Sequence, residues 1–336
     1  MTREEAIDGF LATTRWAAAQ RKPLAGDASN RRYERLHLDG KTAVLMDAPP
    51  SRGEDVRPFL RVARHLAGLG YSTPDILAED AAQGFLLLED FGDALLADLV
   101  ADRPDVTTPL YTAAVDVLIT LHQHPPLDGI EAFTPETMAD LVAPLWDWYL
   151  GQGAARPDLH RQFSTLFQPI LAQYADDQSV MILRDYHAEN LIHLADRDGV
   201  RQMGLLDFQD AKASHPAYDL VSLLQDARRD VPAVLEQAMM DHYLNETGRD
   251  RVDFTTAYAV LGLQRNLRIL GVLTRLCLHL GKAHYVDFLP RVWGYVQRDL
   301  AHPALEPLRP MLSKLPAATP KFCQDLKDRA ATCQSL

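Results

Sequence analysis

The stretch Ile182-Leu183-Arg184-Asp185-Tyr186-His187-Ala188-Glu189-Asn190-Leu191-Ile192 sets an aspartate and an asparagine five residues apart between two apolar, strand-like flanks. Seventeen residues after Asn190, the run Leu205-Leu206-Asp207-Phe208-Gln209-Asp210 carries a second aspartate, with the turn residues Asp196, Asp198 and Gly199 in between. Strand, polar loop, hairpin and aspartate in that order predict that Asp185, Asn190 and Asp207 come to one end of a hairpin. Phosphoryl transfer from ATP needs such a set. One carboxylate orients and deprotonates the attacking hydroxyl, while an amide oxygen and a second carboxylate hold Mg²⁺ on the phosphates. The pattern R-D-x-x-x-x-N is that of a kinase catalytic loop, with Leu183 where a histidine usually stands. Alone, D-x-x-x-x-N also fits a surface turn whose Asp and Asn cap loops. The apolar flanks and the order of the parts favour the catalytic reading.

Upstream the chain is mixed. A helical pattern spans about residues 3–20, followed by Gly26-Asp27-Ala28-Ser29-Asn30. The alternating stretch Tyr33 to Leu38, the turn Asp39-Gly40 and the run Ala43-Val44-Leu45-Met46 predict a β-hairpin. Residues 55–68 have helical spacing, and Phe85 to Leu88 reads as a buried strand. A literal Asp90-Phe91-Gly92 precedes the catalytic loop, so it is not the metal-binding aspartate. It reads instead as a strand running into a turn at a lobe boundary. There an adenine would meet backbone groups at Glu89 and Phe91, unless the segment is a plain strand end.

After Gly92 helical patterns dominate: about 110–123, 136–150, 158–175, 217–229, 231–247, 254–280 and 284–300. They are interrupted by the strands Val180 to Leu183 and Met203 to Leu206, read as one hairpin. The tail from Pro303 reads as loop and short helix. The plan is two-lobed α+β, a small mixed β lobe over residues 1–90 and a large, mainly helical lobe over 91–336, with the cleft as default ligand site.

Lys and Arg total 34 against 46 Asp and Glu in 336 residues, a net charge of −12. That disfavours nucleic acid as a partner. No apolar run approaches the roughly 18 residues of a membrane span, so no membrane partner is expected. Met1-Thr2-Arg3-Glu4-Glu5 lacks the basic start of a signal peptide. The three cysteines, Cys277, Cys323 and Cys333, form no CxxC pair, and a reducing cytoplasm fits best. A monomer is expected.

The catalytic loop, the Leu206-Asp207-Phe208-Gln209-Asp210-Ala211 step and Ala217-Tyr218-Asp219-Leu220 together resemble the aminoglycoside phosphotransferase family of small-molecule kinases. Within it, four segments are similar to the bacterial anomeric amino-sugar kinases: Gly26 to Ser29 with Arg31-Arg32-Tyr33, Met46 to Pro50, Leu206 to Ala211, and Gln264-Arg265-Asn266-Leu267. The resemblance runs from about residue 5 to 315. It implies a protein-kinase-like fold, ATP and Mg²⁺, and phosphorylation of N-acetylmuramate and N-acetylglucosamine at C1 in cell-wall recycling. It makes Asp185 the catalytic base, Asn190 and Asp207 the metal ligands, and Gly26 to Asn30 the loop covering the phosphates. Asp219 would support the catalytic loop from a helix start, or simply cap that helix.

Two departures stand out. Only Gly26 remains of the glycine-rich G-x-G-x-x-G, and the strand lysine and its helix glutamate are both missing. Met46 holds the lysine's position, and the helix 56–68 has no glutamate. Arg31, Arg32 or Arg64 would then meet the phosphates, or the metal would carry more of their charge. The same absence leaves open a nucleotide-binding regulator without catalysis.

On the acceptor side, residues 264–282 carry Arg265, Arg268, Arg275 and Lys282 and no acid. This is either a solvated face or a site for an anionic acceptor such as a lactyl carboxylate, which an arginine fork suits. Glu189, Gln209 and Asp210 are candidate hydroxyl partners. Arg184 and His187 are acceptor candidates inside the loop, and His187 either touches the acceptor or merely holds the loop. Trp146, Trp148 and Tyr149 are either a stacking platform for a sugar ring or helix core. Another small-molecule kinase, for an aminoglycoside, a choline-like alcohol or another sugar, remains the alternative.

Overall fold

The computed structural model describes residues 2–24 and 30–333. Two compact units divide the chain: Met1–Val117 with Ala188–Asp210, and Leu118–His187 with Ala211–Leu336. The sequence reading sets its division after residue 90. In the structure residues 91–117 and the hairpin that follows the catalytic loop cluster with the N-terminal sheet.

In the first unit, α1 (Arg3–Ala12) opens with a capping box between Thr2 and Glu5. The helix expected to reach residue 20 stops at Ala12. Thr13 and Thr14 turn their hydroxyls back onto the carbonyls of Phe10 and Leu11, satisfying acceptors the helix leaves open. Gln20–Pro23 is instead the strand β1. It pairs with β2 (Arg32–Leu38), which returns as β3 (Lys41–Asp47) through Asp39 and Gly40, both at positive φ, as a two-residue hairpin turn requires. β4 (Ile76–Asp80) and β5 (Phe85–Glu89) complete an antiparallel sheet of order β1-β2-β3-β5-β4. The edge strand β4 escapes sequence reading because it has no fully buried residue. Leu36, Ala43, Leu45, Phe85 and Leu87 form one core with Ile7, Phe10 and Leu11 of α1. By the two-residue period of strands, Val44, Met46, Leu86 and Leu88 turn to the opposite face. α2 (Arg57–Gly68) buries Phe59, Leu60, Val62, Ala63 and Leu66.

After β5 come α3 (Leu96–Asp102) and α4 (Thr107–Leu121). The single hairpin expected around the catalytic loop is in fact two separate ladders. β6 (Val180–Ile182) pairs not with Met203 to Leu206 but with β9 (Lys212–Ser214), in the second unit. β7 (Leu191–His193) pairs with β8 (Met203–Leu205), in the first. That second hairpin is stitched to its unit by the Leu205 amide on the Ser72 carbonyl (2.8 Å) and the His193 amide on the Ala94 carbonyl (2.9 Å). Gly204 in β8 has no room for a side chain: a Cβ there would lie 2.8 Å from the Phe91 ring.

The second unit is helical around α9 (Arg251–Leu278), a 28-residue helix. The helix expected over 136–150 is broken. α5 (Pro135–Asp140) ends, and after Pro144 the chain makes a π-helical turn over Leu145–Leu150. Gly271 of α9 allows this, since a Cβ there would sit 2.1 Å from the Pro144 carbonyl carbon. Trp146, Trp148 and Tyr149 on the turn are buried, so the sugar-stacking alternative gives way to core. α6 (Pro157–Tyr174), α7 (Ala217–Leu224), α8 (Ala233–Thr247) and α10 (Leu289–Leu300) follow. Cys277 is core, and Cys323 in the tail is buried too. Among the described residues no helix is long and apolar enough to cross a membrane.

Candidate active site

In the second unit the three buried residues of β6 deliver the chain to Arg184, whose φ is 68°, a region non-glycine residues rarely occupy. Such strain persists only where the surroundings fix it. Here Asp219 does so, its carboxylate accepting the Leu183 amide at 2.6 Å and the Arg184 amide at 2.9 Å. Asp219 lies in the first turn of α7, but the N-cap position is Pro216 and carries no side-chain cap. The carboxylate is therefore spent on the catalytic loop. Burial pushes its pKa up to about 7, against the pull of the two amides and Arg265.

Asp185 follows Arg184. Burial raises its pKa, but Arg265, Arg184, Arg268 and His187 outweigh that and hold the carboxyl below its ordinary value. It stands as a carboxylate among cations. Burial and Arg228 drive His187 down to about 4, so its ring is neutral near pH 7. Its Nε2 lies 3.3 Å from the Arg228 guanidinium.

The cationic face of α9 is split by the fold. Arg265 is buried and donates to the Ser222 hydroxyl at 2.5 Å, Arg268 is half-buried, and Arg275 points to solvent. Arg184 lies over the Phe133 ring at 5.6 Å. Two of the four cations on residues 264–282 thus bear on Asp185, while Arg275 is the solvated charge.

In the first unit a cavity of about 460 Å³ is lined by Asn190 and Asp207 at one part and by Leu88 to Gly92 at another. The Leu206 amide bonds the Asn190 carbonyl at 3.0 Å, joining the two sequence-distant segments. Asp207 has φ 55°, a second strained backbone, and its Oδ1 accepts from Gln209 Nε2 at 2.7 Å. The next residue, Phe208, is buried and stacks on Phe59 of α2 at 4.9 Å, which fixes the step. Gln209 and Asp210 also line the cavity, whereas Glu189, half-buried on the Ala188–Asn190 turn, is not among its lining residues.

Glu89 and Phe91 both line this cavity. The Glu89 amide is already donated to the Asp75 carbonyl at 2.8 Å, so it is not open to a base. Its carboxylate pairs with Arg197 of the β7–β8 connection at 2.5 Å, and the Arg197 guanidinium also lies 5.2 Å from the Phe91 ring. Gly26, Asp27, Ala28 and Ser29 lie outside the described residues. Asn30 is described: its amide meets Glu54 and its side chain the Arg52 carbonyl, each at 3.2 Å.

Of the three arginines named for the phosphates, only Arg31 lines the cavity. Arg32 pairs with Asp47 at 2.6 Å and Arg64 with Glu79 at 2.5 Å. Arg35, Tyr33 and Phe59 also line it, and the sequence reading gives none of them a site role. Their only signals were the strand alternation of 33 and 35 and the apolar stripe of α2.

Among the described residues no three His, Cys, Asp or Glu side chains gather into a metal cage. Mg²⁺ usually takes one or two carboxylates and completes its shell with phosphate oxygens and water. Asn190 and Asp207, oxygen donors on one cavity wall, fit such an ion.

A kinase-like fold with this loop and this hairpin defines a phosphotransferase, and the chain belongs to the phosphotransferase enzyme family, whose pattern it matches over residues 20–255. It is 36% identical to the N-acetylmuramate/N-acetylglucosamine kinase of Caulobacter vibrioides, over 91% of this chain and 95% of that one. It is 31% identical to the kinase of the same name from Pseudomonas aeruginosa, over 88% of each. Its fold is similar to that of an aminoglycoside phosphotransferase solved with GDP and kanamycin, with TM-score 0.61 and 16% identity over 88% of this chain and 98% of that one. A choline kinase from Streptococcus pneumoniae is similar at TM-score 0.59 and 14% identity, over 90% of this chain and 98% of its own.

Proposed function

We propose that this chain transfers the γ-phosphoryl group of ATP to the anomeric C1 hydroxyl of N-acetylmuramate and N-acetylglucosamine, as a cytoplasmic step in reuse of cell-wall sugars. Two relatives that align over nearly the whole chain carry both sugars in their names. What supports the reading further is Asp185, whose carboxyl Arg265, Arg184 and Arg268 hold below its ordinary value against the effect of burial.

An ionised carboxylate can accept a hydrogen bond from the attacking hydroxyl and take its proton as the bond to phosphorus forms. An anomeric hydroxyl is more acidic than other sugar hydroxyls, so Asp185 need act mainly by orientation. Asp219 keeps the loop's strained backbone in place beneath it. Asn190 and Asp207 would hold Mg²⁺, which when bound neutralises charge on the phosphate oxygens. The cavity behind them, with Val44 and Leu88 on its walls, offers an apolar slot for a base.

Charge separates this reading from the acceptors of the fold neighbours. Kanamycin and choline are cations, and the surroundings of Asp185 are cationic. A neutral sugar or one bearing a carboxylate is favoured there, and Arg268, whose charge bears on Asp185, is the candidate partner for a lactyl carboxylate.

A panel read by ADP release tests it: ATP and Mg²⁺ with N-acetylmuramate, N-acetylglucosamine, glucose, choline or kanamycin. Release is expected with the first two. Release only with choline or kanamycin would contradict the proposal, and binding of ATP with no release at all would favour a regulator.

A further inference from the structure

Kinases of this fold meet the nucleotide's phosphates with a strand lysine held by a helix glutamate. Here both are gone. Met46 is buried on the face of β3 that also carries Val44, a cavity-lining residue, and α2 contains no glutamate. The fold has nonetheless kept an acid–base pair beside the same cavity, built from different places in the chain. Arg31, just before β2, lines the cavity together with Asn190 and Asp207. Its Nε lies 2.8 Å from Glu54 Oε2, and both side chains are largely buried, at 16% and 14% exposure. Glu54 sits ahead of α2, and its other oxygen accepts the Asn30 amide at 3.2 Å. One carboxylate thus holds both the guanidinium and the neighbouring backbone at Asn30.

The other nearby cations are committed elsewhere. Arg32 is bound to Asp47, and Arg64 faces Glu79 on a separate shallow groove. Arg35 lines the cavity, but its guanidinium is gripped by Asp90 and Asp93 at the other end, beside Gly92. We infer that the Arg31–Glu54 pair replaces the missing lysine and glutamate, with Arg31 binding the nucleotide's phosphates and Glu54 positioning it. A guanidinium presents several donors in a fixed plane and bridges phosphate oxygens where an ammonium offers a point charge. The pair rests on the reading of this cavity as a nucleotide site.

Calorimetric titration of the full chain with Mg²⁺–ADP and, separately, with adenosine tests the pair without relying on turnover. Arg31→Met is expected to weaken ADP by about tenfold or more, as loss of a charged hydrogen bond implies, and to leave adenosine within about twofold. Glu54→Gln should weaken ADP by a few-fold, since the guanidinium is kept but no longer held. Arg32→Met and Arg64→Met should bind ADP as the parent does. The double variant Arg31→Met/Glu54→Gln removes any repulsion from a bared Glu54. If it regains parental ADP affinity, or if Arg31→Met never loses it, the assignment is overturned. Failure of the parent to bind either ADP or adenosine would overturn the nucleotide reading itself.

Discussion

The two regions that carry the chemistry solve opposite electrostatic problems. Around Asp185 in the second unit, a buried acid is surrounded by Arg184, Arg265 and Arg268, so positive charge is in excess. Around the first unit's cavity the arginines arrive already matched, Arg31 with Glu54 and Arg35 with Asp90 and Asp93, while Asp207 and Asp210 add acid. On the proposed function, one region suits an anion or a neutral group next to a base, and the other a polyanion that would bring its own metal. The difference would let a chain of net charge −12 accept the two negatively charged ligands proposed for it: the charge that matters is distributed, not summed.

The sharpest way to break this contrast is Asp185→Asn. Turnover should fall by about 10²–10⁴-fold, the usual worth of a positioned base, with nucleotide binding changed less than about threefold. Near-parental turnover would remove Asp185 from the chemistry. Asp219→Ala strips the acceptor from two buried amides and should cost about 2–4 kcal/mol, read as a lower urea midpoint. Asp219→Asn, which keeps one acceptor, should cost less, and equal stability in both variants would show that the loop is held otherwise.

A smaller effect separates the two sugars. Arg268→Met should raise the KM for N-acetylmuramate by about tenfold and that for N-acetylglucosamine by less than about threefold, because only the former carries a carboxylate for the fork. Equal losses would make Arg268 a support for Asp185 alone. The smallest expectation concerns the pH profile. Asp185 is held below its ordinary value and His187 is pushed down to about 4, so neither changes charge from pH 5 to 8. Burial raises Asp219 to about 7, so an inflection near neutrality in kcat/KM is expected to come from Asp219 alone. One that persists in Asp219→Asn would contradict the assignment of charge.

What the sequence revealed about these regions follows from range. The joining of Asn190 and Asp207 is legible because each borders a short apolar run at a polar turn. The hairpin β2–β3 is legible for the same reason, through Asp39-Gly40. The pairing of β6 with β9 is not, because neither strand's three residues specify a partner across some thirty positions of chain. Glu54 is invisible for a related reason: it sits in a loop and meets Arg31 twenty-three residues away, where no helical or strand period links them. On α9, spacing places Arg265, Arg268 and Arg275 on one side, but only packing decides that Arg265 turns inward to Ser222 while Arg275 meets solvent. Trp146, Trp148 and Tyr149 show the converse, an aromatic cluster whose burial removes a binding role that its composition allowed.

The central claim is the bond that is made. Phosphorus NMR of ATP, Mg²⁺ and N-acetylmuramate with the parent chain should show one new phosphomonoester, coupled to the anomeric proton and formed in step with ADP. A phosphate on any other position, or ADP accompanied only by inorganic phosphate, would contradict it.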